Sequence, residues 1–559
     1  MGKSVADSLI EQLIGEGVTR IYGIPGDAVN SIMDSIRKHE DKIQFVLVRH
    51  EENAAFMAAA EAKLTGRLAV CAGTAGPGAI HLLNGLYEAK MEGVPVLAVS
   101  GQVESDLYGS DYFQEVNLVK LFDDVASFNQ IILAPEHAGA LVSRAIRSSM
   151  AERSVSHINI PQDIARMPTE ENFGAEPTYR VSPLGLAANS DLERAAAILN
   201  EAERPLIFAG KGARRASPEV LQMAKRLAAP IIKTLPAKDI IPDEHPYSLG
   251  GLGLLGTRPA LDAMHEADAI FMIGTSYPYV QFLPEGSASK IVQLDIEPTR
   301  IGKRIRADCG LVGDSRLTLR SLLPLLRQRD DTDFLKKYQG KMKDWWSQMN
   351  ETESSDAVPI RPERVARELS DILPKDSIIS VDVGNVTVWM ARDFRVQEGQ
   401  IMLWSGWLAT MGVALPSAIA AKFVHPERPV IAAAGDGGFC MTMSDFVTAV
   451  RHKLPLKAVV FDNRELGMIR LEQEIQGHPK YGIDLVNPDF ARYAEACGGL
   501  GLRAEKPSEL KLALEQMMET DKPCVVDVMV DQNARPMHEK VSVKQAANYV
   551  SSLFREKFG

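Results

Sequence analysis

The chain has 559 residues, 45% hydrophobic and 24% charged, which at ~150 residues per domain predicts roughly three to four globular domains and excludes a stapled mini-protein, a disordered chain and a coiled coil. Sixty-two Lys and Arg against 73 Asp and Glu leave a formal charge of −11, which opposes wrapping on a phosphate backbone, so nucleic acid is not expected as a partner. The five cysteines (Cys71, Cys309, Cys440, Cys497, Cys524) are odd in number, widely spaced and mostly in apolar runs, as reduced core thiols would be, and no zinc-type pair occurs.

The first stretch, MGKSVADSLIEQLIGEGVTRIYGIPGD, carries acidic residues inside a helical pattern and no long apolar region, so it does not read as a signal peptide. No apolar run approaches the ~20 residues of a membrane span, and a cytoplasmic enzyme is the expectation. Short β-branched runs then alternate with helical patterns: RIYGIPG, FVLVRH, LAVCAGTAG and VPVLAVSG, then PLIFAGKG, AIFMIGT and KIVQLDIEP, then SIISVDVGN, PVIAAAGDGG, LKAVVFDN and PCVVDVMV. Gly closes most of these runs. The rhythm predicts an α/β protein with doubly wound, mainly parallel sheets, whose ligands bind beyond the carboxyl ends of the strands. Two polar stretches, near 166–190 and 327–362, read as linkers. The second holds a short helical piece around Trp345 and Trp346, whose pairing reads as a packing anchor. The blocks so delimited are 1–170, 185–330 and 360–532, followed by a tail, 533–559.

In the first block Glu51 follows FVLV at the start of an Ala-rich helix, where a first-turn carboxylate favourable to the helix dipole is the simplest reading. His81, flanked by Leu82 and Leu83, reads on its own as a helix-face histidine. In the central block a strand runs to Gly210, Gly212 and Arg214 before a helix, an arrangement that could cradle phosphate, although GxG alone is weak evidence. Gly251, Gly253, Gly274, Thr275, Asp295 and Asp314 also fall at strand ends or tight loops, and an Asp after a strand can accept hydrogen bonds from ribose hydroxyls. The third block has the most specific segment, PVIAAAGDGGFCMTMSDFVTAVRHKLPLKAVVFDNRELGMI. Gly435, Gly437 and Gly438 let backbone amides approach a diphosphate at a helix N-terminus. Asp436 would repel that diphosphate unless a hard cation lay between them, and Mg2+ binds in this way through few protein oxygens plus phosphate. Asn463, which follows Gly435 by 28 residues at the next strand end, offers a second oxygen, and the carbonyl of Glu465 a third. A plain Gly turn with an N-cap Asp is the alternative.

This segment resembles the metal-diphosphate motif of thiamine diphosphate enzymes, which begins Gly-Asp-Gly and ends in Asn; the usual Asn-Asn ending is Asp462-Asn463 here. The resemblance runs to about residue 532 and implies the thiamine diphosphate-enzyme fold, with a pyrimidine-binding, a central and a diphosphate-binding domain in that order. It implies that Glu51, in its Arg-His-Glu context, hydrogen-bonds the aminopyrimidine ring and promotes the tautomer that removes the thiazolium proton. GTAGPGAIHLLNG and GSDYFQEVN then offer Gly76, Pro77, His81, Asn84, Phe113 and Gln114 as cofactor- or substrate-facing residues. SVDVGNVT and LWSGWLATMGV match segments holding the diphosphate end and the pyrimidine, with Gly384, Asn385 and Ser405, and Met411 falls where the family places a residue that bends the cofactor.

The central block, with Thr234 added to the residues above, is similar to the FAD-binding middle domain of pyruvate oxidases and acetolactate synthases. Leu471 stands where acetolactate synthases typically carry a Trp and is followed by Glu472, a version that resembles pyruvate oxidases; that resemblance implies that the Glu organises the region of the substrate carboxylate. Asp27 and Ala28, after GIPG, replace the small neutral residues of the phosphate-using oxidases, and a carboxylate there opposes phosphate. The expected cofactors are thiamine diphosphate, Mg2+ and FAD. The expected reaction is oxidative decarboxylation of pyruvate, or a similar small 2-oxo acid, to acetate and CO2 with a quinone-type electron acceptor. An acetolactate-forming carboligase with structural FAD, a phosphate-dependent oxidase making acetyl phosphate and peroxide, and a catalytically silent cofactor-binding protein remain alternatives. Related enzymes pair the first and last blocks across subunits, so a homodimer is the expected minimal unit and a homotetramer the expected assembly. In the tail, Arg535, Lys540, Lys544, Arg555 and Lys557 outnumber Glu539 and Glu556, with apolar residues at helical spacing; a peripheral contact with an anionic membrane and a helix docked on its own subunit are both open readings.

Overall fold

The computed structural model describes residues 3–169, 185–285 and 289–535. Three six-stranded parallel sheets organise them. The first contains β1 (Arg20–Gly23), β2 (Gln44–Leu47), β3 (Ala69–Gly73), β4 (Val96–Gln102), β5 (Ala126–Ile131) and β6 (Val155–Pro161), in the spatial order β2-β1-β3-β4-β6-β5. The second contains β7 (Pro205–Ala209), β8 (Ile231–Lys233), β9 (Ser248–Gly251), β10 (Ala269–Ile273), β11 (Lys290–Asp295) and β12 (Cys309–Val312), ordered β12-β11-β10-β7-β8-β9. The third contains β13 (Ile378–Val381), β14 (Ile401–Leu403), β15 (Val430–Gly435), β16 (Lys457–Asp462), β17 (Leu500–Ala504) and β18 (Cys524–Met529), ordered β14-β13-β15-β16-β18-β17. Helices cover both faces, which is why the strand runs are apolar without alternation: β4 and β6 are buried along their whole length.

The first and third sheets share one strand order, offset by twelve strands. In the second sheet the chain reverses its direction of growth once, and in the first and third it does so after the second strand and again at the last pair; the first of these reversals leaves a crevice at the strand ends where connections diverge. That point lies between β1 and β3, between β7 and β10, and between β13 and β15. The connections beginning Ile24, Thr74, Gly210, Gly274, Asp382 and Asp436, the last of them directly a helix, therefore fall at the three crevices. In the second, the two loops touch through glycine: a Cβ on Gly210 would lie 2.5 Å from the Gly274 carbonyl oxygen, and one on Gly212 would lie 2.8 Å from the Gly274 Cα.

The first and third domains share one core. The helix Glu51–Thr65 packs along the helix Ala414–Val424, and Ala54, Ala58, Ala62, Ala414, Ala418 and Ala421 belong to the same buried cluster. Small side chains there let the two helices approach closely. The stretch expected as a linker with a short helical piece is instead a 21-residue helix, Asp333–Glu353. Phe334, Tyr338, Met342 and Trp345 form its buried stripe against the second sheet, while the Arg395 guanidinium lies 4.6 Å over the Trp346 ring. Residues 170–184, in the first expected linker, and 536–559, in the expected basic tail, lie outside the described residues. No described helix is long and apolar enough to cross a membrane.

Candidate functional site

At the third crevice β15 ends in Gly435, which caps the helix Asp436–Thr442 without a side-chain bond. Asp436 is 2% exposed and does not act as the N-cap. Its Oδ2 accepts the Arg464 main-chain N–H at 2.8 Å and the Asn487 amide at 2.7 Å, and the same amide donates to Asp462 Oδ1 at 2.8 Å. Burial, joined by the charge of Asp462, pushes Asp436 up to about 7. Two buried carboxylates sharing one amide are what a divalent cation would relieve. The Asn463 Oδ1 accepts the Glu465 N–H at 3.1 Å. The Glu465 carboxylate is taken by Arg470 at 2.9 Å and Lys480 at 2.5 Å, and its main-chain carbonyl, which accepts the Gly467 N–H at 2.9 Å, keeps a second lone pair for a cation. This all-oxygen set suits Mg2+. The Asn385 Oδ1 is buried without a hydrogen-bond partner, and a Cβ on Gly435 or Gly384 would meet nothing within 4 Å. The loops thus leave room for a diphosphate, while the Asn385 oxygen, an acceptor, would meet a cation or a donor group rather than the phosphate oxygens.

Asp382, quoted within SVDVGNVT but not singled out from sequence, organises this end. Its buried carboxylate accepts the N–H groups of Val383 at 2.7 Å, Gly412 at 2.8 Å and Ala414 at 3.3 Å, and burial pushes it up to about 6. Gly438 packs on it, since a Cβ there would lie 2.7 Å from Asp382 Oδ1. With Gly412 so fixed, the Met411 Cε comes within 3.2 Å of a Cβ position on Gly437.

A cavity of about 1570 Å³ joins this end to the second crevice. Gly384, Asn385, Ser405, Met411, Asp436, Asn463, Glu465, Leu471 and Glu472 line one part of it; Gly212, Arg214, Thr234, Gly274, Thr275, Asp295 and Asp314 line the other. Glycines at the second crevice let its two loops pack backbone to backbone beside the cavity, an arrangement that fits a dinucleotide. Not every expected contact is available there. Gly210 and Gly253 do not line the cavity; their role is close packing, Gly210 under Gly274 and Gly253 against Tyr277. Arg214 is committed to Asp239 and to the Met402 carbonyl, and the Asp314 carboxylate caps its helix by accepting the Leu317 N–H at 3.0 Å.

The first-domain residues form a separate group. Glu51, 6% exposed, begins its helix, and its Oε2 lies 2.9 Å from His81 Nδ1. The His81 and His50 rings stack at 4.4 Å. Gly76, with φ 61°, packs against Gln114, since a Cβ would lie 2.8 Å from the Gln114 carbonyl oxygen. Phe113 is 75% exposed. None of these residues lines the cavity that holds Asp436. Asn84 stands between the two groups and donates to Glu52 at 2.5 Å and to Thr410 Oγ1 at 3.0 Å.

Sequence reasoning missed Asn487, Asp382, Glu88 and Glu92. The last two are detectable in principle, because Asn84, Glu88 and Glu92 recur every four residues along one helix face.

Three family profiles match in succession: the N-terminal TPP binding domain of thiamine pyrophosphate enzymes over residues 3–121, their central domain over 192–322, and their C-terminal TPP binding domain over 382–528. The chain is similar along its whole length to YdaP of Bacillus subtilis, a protein assigned provisionally as thiamine pyrophosphate-containing, at 42% identity with 96% of that protein covered. It is 34% identical to a pyruvate oxidase of Lactiplantibacillus plantarum, over 99% of the chain and 93% of the relative. It is also 30% identical to an acetolactate synthase of Mycobacterium bovis, over 95% of the chain and 88% of the relative.

Proposed function

Because the chain belongs to the thiamine pyrophosphate enzyme family, we propose that it is a thiamine diphosphate-, Mg2+- and FAD-dependent pyruvate oxidase. Pyruvate and water would yield acetate, CO2, two protons and two electrons, the electrons leaving through the flavin to a quinone-type acceptor. The observation that carries this reading is the single cavity shared by the glycine loops of the second crevice and by the Asp436 and Asn463 end of the third. A two-cofactor oxidation needs such continuity; a carboligase with structural FAD would share the cavity without using it for electron transfer, and the products separate the two.

Thiamine diphosphate supplies the nucleophilic carbon and electron sink for decarboxylation, and FAD takes up the electron pair. The chain's own residues do the rest. Asp436, Asn463 and the Glu465 carbonyl would hold Mg2+, and Met411 would bend the thiamine. Glu51 would hold a proton on its carboxyl for a pyrimidine ring nitrogen, with His81 orienting that carboxyl. Glu472 lines the cavity where a small 2-oxo acid would be received. Asp27, whose Oδ1 accepts the Ala28 N–H at 2.9 Å, supports water over phosphate as acyl acceptor by like-charge repulsion. Since Glu51 and Asp436 lie in separate groups of one chain, the complete site would join Glu51 of one protomer to Asp436 of its partner.

The test is turnover of pyruvate by the purified protein with and without phosphate, scoring acetate, acetyl phosphate, peroxide and acetolactate. Acetate formed with reduction of an artificial acceptor, by a protein showing a flavin spectrum, is the expected result. Acetolactate as the main product would assign the protein to the carboligases, and a protein purifying without flavin would remove the oxidase reading.

A further inference from the structure

The helix Leu83–Glu92 places Asn84, Glu88 and Glu92 at four-residue intervals, hence on one face. All three bind the loop from Trp404 to Thr410 that leads into Met411. Asn84 donates to Thr410 Oγ1 at 3.0 Å. Glu88, fully buried, accepts the Ser405 hydroxyl at 2.6 Å and the Lys63 ammonium at 2.5 Å, and Lys63 also donates to the Trp404 carbonyl at 2.8 Å. The Ser405 oxygen in turn accepts the Thr410 N–H at 3.0 Å, so the Ser405 hydroxyl is committed to this network.

Glu92 does something its two neighbours do not. One of its oxygens accepts the Gly406 N–H at 3.0 Å, and the other accepts the Lys211 ammonium at 2.7 Å, where Lys211 stands between Gly210 and Gly212 in the loop after β7. The Lys211 ammonium also donates to the Glu92 main-chain carbonyl. A carboxylate only 4% exposed therefore ties the second-crevice loop to the loop that carries Met411. Gly406 is confined from the far side by the central domain, since a Cβ there would lie 2.5 Å from Pro236 Cγ. Burial alone would favour a neutral Glu92, but Lys63 and Lys211 outweigh it and hold the carboxyl down at about 2. Burial also pulls the Lys211 ammonium below its usual range. With Lys63 as a second cation and a main-chain N–H already on the carboxylate, the ionised pair is the state the geometry supports.

We propose that Glu92 is a positioning residue that couples the two cofactor sites: an occupied second crevice fixes Lys211, Lys211 fixes Glu92, and Glu92 fixes the loop ahead of Met411 in the form that receives thiamine diphosphate. This rests on the two-cofactor reading above. Linkage makes the effect reciprocal, so FAD should tighten thiamine diphosphate binding and thiamine diphosphate should tighten FAD binding by the same factor.

The test uses the full chain freed of flavin. Thiamine diphosphate with Mg2+ is titrated with and without saturating FAD, following tryptophan fluorescence, to which Trp389, Trp404 and Trp407 contribute from the cavity wall. The wild-type dissociation constant should fall by about 5-fold or more when FAD is present, the lower end of ordinary coupling. In Glu92→Gln and in Lys211→Met the ratio should drop below about 2-fold while each cofactor still binds alone, and Lys211→Arg should restore it. Residues with a merely structural role would lower stability and leave the ratio alone. If Glu92→Gln fails to fold, Lys211→Met, which leaves the Glu92 bond to Gly406 in place, decides the matter. A wild-type ratio retained in Lys211→Met would overturn the proposal, as would a wild-type protein that binds both cofactors without coupling. A wild-type protein that binds neither would remove the functional reading, and the coupling with it.

Discussion

Glu51 and Asp436 are both buried carboxylates, yet their partners predict different failures. Glu51 touches His81 and begins a helix held by its own core, so Glu51→Gln should fold, bind diphosphate and Mg2+ normally and lose ~100-fold or more of its turnover, because an amide cannot pass on the proton. Near-normal kcat in that variant would reassign the residue. Asp436 depends on Asn487, which holds it beside Asp462. Asn487→Ala should therefore raise the Mg2+ requirement by ~10-fold with kcat recovered at saturating metal, the usual effect of losing a residue behind a metal ligand. An unchanged Mg2+ titration would show that Asn487 only packs. The contrast also explains what could be read in advance. Glu51 and Asp436 are legible because their chemistry is written in adjacent residues, Arg-His-Glu and Gly-Asp-Gly. Asn487 is 51 positions from the carboxylate it supports, and nothing short of the fold brings the two together.

Among the elements, eleven of the eighteen described strands and the crevices at their ends were legible, whereas β5, β6, β8, β9, β12, β14 and β17 and the polar wiring between elements were not. Parallel strands covered on both faces read as unbroken apolar runs ending in Gly, and every expected run is a strand. Of the helix Asp333–Glu353 only a short piece around Trp345 and Trp346 was legible, because the apolar stripe of Phe334, Tyr338, Met342 and Trp345 is diluted by charge. The face formed by Asn84, Glu88 and Glu92 was hidden because polar periodicity usually means solvent. The loop at Asp382 yields a prediction with a definite sign. Its carboxyl titrates near 3.8 when unfolded and at about 6 when buried in the native protein, so between these values the folded state holds a proton that the unfolded chain releases. The resulting stabilisation is complete below pH ~4 and is lost as pH rises through about 6, on the order of 2–3 kcal/mol in all. Asp382→Asn should flatten that part of the slope, as read from urea midpoints at pH 4.5 and 6.5. Parallel pH profiles in the two proteins would exclude Asp382 as the titrating group.

At the scale of the whole molecule, the first-domain and third-domain groups stay apart within one chain. Glu51, His81, Gly76 and Gln114 cluster in the first domain, whereas Asp436 and Asn463 open onto a cavity that none of them lines. Around these groups large apolar side chains lie open, with Phe113 at 75%, Met441 at 58% and Tyr481 at 85% exposure. If each site takes Glu51 from one protomer and Asp436 from the other, two inactive variants can rescue each other. Glu51→Gln and Asp436→Ala, differently tagged, mixed under conditions that exchange subunits and purified through both tags, form mixed dimers. Such a dimer has one site with both residues intact and one with neither, so it should show about half of wild-type turnover, whereas each parent alone shows almost none. If instead each chain built its own site, every site in the mixed dimer would lack one residue, and activity would stay at the parental level. Doubly tagged dimers without recovered turnover would therefore place the complete site within a single chain and require Glu51 to reach the cavity by a rearrangement of the first domain.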